Sequence, residues 1–227
     1  MANKYFIFLC MWAVFLLPVN SIGDPGKCIQ GDCKNGQGTF VWPDGKKYEG
    51  DWKEGKRSGQ GASTWPDGAQ YTGAYQDARK QGQGTFIWPD GSKYTGNFKD
   101  DRQHGQGTMA SSDGRVYTGE WKNGARNGQG TSTWPDGGKY EGAWQDDFPS
   151  GKGTFTSPHG VYVGDFINGN PDGKGTFTDP DGKKYTGEFK EGAIQGYGVE
   201  VSPDGKTLEG YWVDGEYAGK TKPKEKK

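Results

Sequence analysis

Few residues in this sequence could do chemistry. There are two histidines, three cysteines and a scatter of carboxylates among 42 glycines in 227 residues. His104 precedes Gly105 in a connecting stretch, and His159 stands where sibling turns carry Asp, so both read as solvated turn residues rather than bases. No Ser or Cys sits in the strained Gly-x-Ser-x-Gly elbow that exposes a nucleophile. The many Gly-x-Gly pairs are followed by no helix whose N-terminus could hold a phosphate. Asp44, Asp67, Asp90, Asp136, Asp181 and Asp204 could suggest calcium, yet each is single and lies in a turn that already explains it. Asp100-Asp101 and Asp146-Asp147 read as solvated loop pairs rather than acid and base. The expectation is a protein with no enzymatic activity, no cofactor and no metal.

Cys28 and Cys33 remain as an even pair once Cys10 is set aside with the apolar leader. In an exported chain such a pair reads as a disulfide closing a small loop, with two free thiols as the alternative. Zinc is disfavoured, because the nearest histidine is His104 and there is no second cysteine pair. The leader itself has Lys4 as its only charge before Asp24, then thirteen apolar residues from Tyr5 to Leu17, then Pro18 and small residues. That is the order of a secretory signal, predicted over residues 1–23. Thirteen residues fall short of the ~20 that span a bilayer, and an uncleaved anchor over residues 5–17 is the alternative. The protein is expected to be periplasmic, lumenal or extracellular.

The elements that must position everything else are repeats. A Gly-x-Gly begins at Gly36, Gly59, Gly82, Gly105, Gly128, Gly151, Gly173 and Gly196, in steps of 23 residues with one of 22. A Pro-Asp-Gly turn or a variant follows each, and then Tyr-x-Gly-x-aromatic. The tyrosines are Tyr48, Tyr71, Tyr94, Tyr117, Tyr140, Tyr162 and Tyr185, with Leu208 in the eighth place. Composition agrees with short strands: apolar residues are only 30 %, and aromatics alone make up 14 %. A helical or doubly wound domain needs far more Leu, Ile, Val and Ala. The net charge of -1 gives no general attraction to nucleic acid or anionic membrane, so nucleic acid is excluded as a partner.

One unit can be folded from its pattern. A three-residue loop at Pro43-Asp44-Gly45 pairs Trp42 with Lys46, and stepping back by two pairs Phe40 with Tyr48, Gly38 with Gly50 and Gly36 with Trp52. These residues share one face of glycine and aromatic. Gln37, Thr39, Val41, Lys47, Glu49 and Asp51 share the other. Stacked hairpins make one long antiparallel sheet, in which the Tyr at 23-residue spacing are expected to stack ring on ring.

These residues resemble the MORN (membrane occupation and recognition nexus) repeat, whose Tyr-x-Gly-x-Trp/Phe core and Gly-x-x-x-Gly-x-Gly tail match Tyr48, Gly50, Trp52, Gly55, Gly59 and Gly61 and their counterparts over about residues 34 to 219. The resemblance implies an all-β array of about eight consecutive hairpins in an elongated, twisted, curved single-layer sheet. It also implies scaffolding, dimerisation or protein binding, and in some members lipid contact. Plant phosphatidylinositol phosphate kinases carry such arrays before a kinase domain, and no kinase signature or helical lobe stands here. Choline-binding repeats have similar length, but their Trp-Tyr-Tyr runs and Asn-Gly turns are missing.

The domain reading is a signal or anchor (1–23), a cap with Cys28 and Cys33 (24–35), the array (36–219) and a basic tail (220–227) with five Lys. One feature exceeds the repeat pattern. Trp42, Trp65, Trp88 and Trp134 precede the turns, where other units have Ser111, Ser157, Asp179 and Ser202. Two readings stand: a strip that binds peptide, glycan or lipid headgroup, or indoles packed on neighbouring turns and on stems such as Lys46. The candidate contact residues are those four Trp together with Tyr48, Tyr71, Tyr94, Tyr117 and Tyr140. A protein partner or a second copy, bound at the aromatic groove or the sheet edges, is the expected function. The alternative is an envelope binder of lipid headgroups or glycan through the Trp rim.

Overall fold

A computed structural model describes residues 26–223. The signal and anchor readings of residues 1–23 and 5–17 lie outside the described residues, as does the end of the basic tail. Lys220 to Pro223 are exposed and irregular. The described residues form eighteen strands, from β1 (Lys27–Gly31) to β18 (Glu216–Gly219), with no helix. Each strand pairs antiparallel with the next in one open sheet.

Two kinds of turn alternate. At the tips, Trp42 N–H donates to the Lys46 carbonyl (2.8 Å) and Gly45 N–H to the Trp42 carbonyl (2.9 Å). Pro43 sets the first central φ and Gly45 takes φ +85°, which closes the three-residue loop as expected. The register of β2 (Gly36–Val41) with β3 (Lys47–Lys53) is the expected one: Gly36 with Trp52, Gly38 with Gly50, Phe40 with Tyr48. One tip is shorter: Ser157 pairs directly with Gly160 across Pro158-His159, so the missing residue is absorbed in the turn. The return connections are not loops. They are two-residue turns with both residues at positive φ, as at Glu54-Gly55, Asn123-Gly124 and Asp100-Asp101. Type I′ turns match the twist of the strands they join. His104 therefore lies in β8 (Arg102–Ala110) and is half-buried, which corrects its reading as a solvated turn residue. His159 is exposed in its turn.

Each return hairpin carries a bulge. Where β3 meets β4 (Lys56–Thr64), Trp52 pairs with Arg57 and Gly50 with Gly61, so Asp51 faces three residues, Ser58 to Gln60. The Tyr48 hydroxyl reaches into that bulge and donates to the Asp51 carbonyl at 2.9 Å. The same bond recurs from Tyr71, Tyr94, Tyr117, Tyr140, Tyr162 and Tyr185 at 2.8–3.3 Å. To get there the ring lies across glycine. A Cβ on Gly61 would stand 2.3 Å from the Tyr48 hydroxyl and 2.5 Å from its ring. The glycines are thus required by close approach.

The expected Tyr-on-Tyr ladder is corrected: a second aromatic stands between successive tyrosines. Tyr48 makes edge-to-face contacts at 5.1 Å with Trp52 of its own unit and at 5.1 Å with Tyr75 of the next. The zigzag continues through Tyr71, Phe98, Tyr94 and Trp121 and ends at Tyr185 and Trp212. Each such contact contributes roughly 0.5–1.5 kcal/mol beyond burial. Leu208 cannot make the hydroxyl bond. Tyr217 in β18 makes a different bond there, donating to the Glu209 carbonyl at 3.0 Å, and packs 5.4 Å from Trp212. At the other end Cys28 and Cys33 are joined in a disulfide, and β1 pairs with β2.

Burial holds the ladder phenols in their protonated form and pushes Tyr94, Tyr117, Tyr140 and Tyr162 up to about 12. Unfolded tyrosine ionises near ~10, so the contribution is complete below that pH and is lost as pH rises towards ~12. Tyrosinate absorbance and loss of β-sheet circular dichroism should therefore rise together in that window; phenols that ionise near ~10 with the sheet intact would contradict the burial. Tyr94→Phe leaves the Asn97 carbonyl in its bulge without this donor, and should lower unfolding free energy by about 1–3 kcal/mol in urea melts.

Candidate functional site

The tips place the tryptophans. Trp42, Trp65, Trp88 and Trp134 each have their backbone fixed by the two turn hydrogen bonds, so the indoles emerge at one position per hairpin on the aromatic face. All four are half-buried and pack against the ring ladder. Phe40 lies 4.8 Å from Trp42, Phe86 lies 4.6 Å from Trp88 and 5.6 Å from Trp65, and Phe155 lies 6.0 Å from Trp134. The Lys46 ammonium stands 5.2 Å from the Trp42 ring and 5.0 Å from that of Trp65. The Lys46 ammonium therefore lies over these two indoles.

The tyrosines have a different place. Tyr48, Tyr71, Tyr94, Tyr117 and Tyr140 are between 0 and 4 % exposed. They form the floor beneath the strip, and Tyr117 and Tyr140 reach the wall of one cavity in it. What a ligand would meet is the Trp and Phe layer above them.

Sequence reasoning missed the cations on this face. Arg57, Lys80 and Arg126 occupy one repeat position, whose other occupants include Gln103, Pro149, Pro171 and Ile194. The signal was available: Arg57 faces Trp52 directly across the return turn, so both side chains share a face. Arg57 stands 4.8 Å from the Tyr75 ring, Lys80 4.6 Å from Phe86 and Arg126 4.4 Å from Trp144. Arg126 also pairs with Asp147 at 3.0 Å. Burial, with the nearby charge of Arg57, holds Lys46 and Lys80 below the ordinary ammonium value, although Asp101 acts in the opposite direction on both.

The strip is interrupted at Ser111, and a cavity of 540 Å³ opens there. Met109, Ser111, Arg126, Trp134 and Phe155 line it, with the buried ladder ring Trp144 among its walls. On the opposite face a 730 Å³ trough runs over glycines between Thr154, Val163, Thr176 and Tyr197. Val163 and Tyr197 are exposed there. Among the described residues no group of three or more His, Cys, Asp and Glu converges as metal ligands would. The arrangement suits recognition: flat rings, fixed cations and one side-chain-sized gap.

The family model for the MORN repeat matches residues 34–47, 48–70, 71–93, 94–114, 117–139, 140–160, 162–184 and 185–207. Among solved structures the chain is similar to the TCP domain of SAS-4 of Drosophila melanogaster, solved in complex with a proline-rich motif of Ana2. Identity is 10 %, the TM-score is 0.39, and 91 % of this chain and 97 % of that one are covered. It is also similar to virginiamycin B lyase from Staphylococcus aureus at 10 % identity and a TM-score of 0.20, with 81 % and 72 % covered. A streptogramin B lyase gives 12 %, 0.21, and 79 % and 70 %. A search of curated proteins returns no match.

If the indoles are structural members of this face, Trp65→Ala should cost about 1–2 kcal/mol in urea melts, less than a fully buried Trp. The Lys46 ammonium, relieved of that ring, should titrate closer to its ordinary value by NMR. An unchanged melt would mean that Trp65 packs on nothing that matters to folding.

Proposed function

This chain belongs to the MORN repeat family, and from that premise we propose that it is an exported scaffold binding another protein, or a second copy of itself, through the aromatic face. The observation that carries this reading is the gap at Ser111. Four units place an indole at this position, and here the face offers an open cavity with apolar walls and an Arg126–Asp147 pair at its rim. An apolar side chain from a partner would take the place that Trp takes in the neighbouring units, and the rings on either side would hold the flanking segment. The outer edge of the four-residue β18 is a second route for self-association, since an unpaired edge invites another strand. Export is supported by the Cys28–Cys33 bridge, which suits an oxidising compartment. What speaks against lipid or glycan at the Trp rim is that the indoles are half-buried and do not project as a membrane or sugar contact would need.

Ser111→Trp restores the residue of the sibling units, so the fold should tolerate it and the melting temperature should not fall. Peptides selected by display on the wild-type protein should bind the variant at least about tenfold more weakly. Peptides that bind both alike, or a selection that yields none, would refute docking at this face.

A further inference from the structure

Three cations at the N-terminal end of the aromatic face are linked by two indoles. The Trp42 ring has Lys46 at 5.2 Å and Arg57 at 5.9 Å, and the Trp65 ring has Lys46 at 5.0 Å and Lys80 at 6.0 Å. All three are half-buried. Their sequence neighbours Lys47, Lys56 and Arg79, facing the other way, pair with Glu49, Asp77 and Asp100. Among the described residues Lys46, Arg57 and Lys80 have no carboxylate at ion-pair distance.

The register explains the deficit at Arg57. Arg126, the equivalent of Arg57 and Lys80, is neutralised by Asp147 in the next return turn. Opposite Arg57 that place is Ala78, and the guanidinium donates to its carbonyl instead of to a carboxylate. Opposite Lys80 it is Asp101, which accepts the Lys80 backbone N–H at 3.0 Å. A chain of net charge -1 thus gathers on one aromatic surface three positive charges without an ion-pair partner among the described residues, with Asp101 acting on Lys46 and Lys80 only from beyond contact. Half-buried like charges raise each other's energy, and a bound anion relieves it.

We propose that Lys46, Arg57 and Lys80 bind the carboxylates of an acidic, extended peptide segment whose apolar residues lie on Trp42 and Trp65. This rests on the docking reading of the aromatic face and names the chemistry of the partner. Arg57 and Lys80 are two strands apart, about 9.6 Å at the usual strand spacing, which a segment in the extended polyproline II form covers in about three residues, one full turn, so that side chains three places apart point the same way. Acidic residues therefore recur at every third place along the segment, with apolar residues between them. Rings on both sides of each cation favour such a peptide over a planar membrane surface, which would need charges that project.

The test is a synthetic peptide of about nine residues with Glu at every third position and Leu or Pro between, beside its Gln counterpart. Fluorescence anisotropy should show the Glu peptide bound, weakened by salt, and the Gln peptide at least about tenfold weaker. Arg57→Gln with Lys80→Gln should lose about tenfold or more, whereas Arg57→Lys with Lys80→Arg should retain binding, which separates charge from fold. Ser111→Trp, two hairpins away, should leave this peptide bound. Equal binding of Glu and Gln peptides, or indifference to the double Gln variant, overturns the proposal. So does binding of phosphatidylserine-containing vesicles that depends on Arg57 and Lys80 while the peptide stays unbound. If displayed peptides are lost on Ser111→Trp but the Glu peptide does not bind, docking stands and the acidic partner falls; if neither binds, both fall.

Discussion

Everything in this array depends on a tyrosine ring lying flat on a glycine pair with its hydroxyl inside a β-bulge. The bulge at each return hairpin turns a backbone carbonyl, that of Asp51 in the first unit, away from the regular ladder. The phenol satisfies it, and the ring can arrive only because Gly50 and Gly61 have no Cβ to block it. One residue type therefore fills the core and satisfies a polar group of the bulge. A buried carbonyl without its donor would cost about as much as several ring contacts contribute. This is why a single-layer sheet of such low mean hydropathy can hold fully buried aromatics.

The terminal unit departs from this. Leu208 breaks the pattern, and the structure answers with Tyr217 from the following strand, which reaches the Glu209 carbonyl instead. At the opposite end the first strand is closed by Cys28 and Cys33. At each end of the described residues a local device stands beside the last strand, as suits an array in which stability is passed between nearest neighbours.

Much of this was legible in the residues. Pro-Asp-Gly spacing fixed the tips, and counting back by two gave the register of β2 and β3 without error. Two things were not. The return connections were read as loops, although Asn123-Gly124 and Asn168-Gly169 carry the type I′ signature; Glu54-Gly55 and Asp100-Asp101 hid it, because carboxylates seldom hold two successive positive-φ positions. That misreading put His104 in a loop and hid Arg57, Lys80 and Arg126 from the aromatic face. The ladder was also simplified: 23-residue spacing suggests Tyr on Tyr, but the aromatic four places on reaches further and separates them. The candidate site was legible as tryptophans and not as charge. Which residue stands opposite a cation, Ala78 at Arg57 or Asp147 at Arg126, follows from the return register.

Because each strand bonds only to the next, the strands lie across the long direction of the sheet. A load applied to the two chain ends then acts along the ladder hydrogen bonds rather than across them. The outermost strand leaves from its own tip, so its bonds open in succession and not all at once. The array under tension should give way gently, releasing one hairpin length at a time while the remaining units keep their rings seated. Slackened, each released hairpin finds its neighbour's exposed edge waiting as a template. Such a sheet is a spring of many small steps.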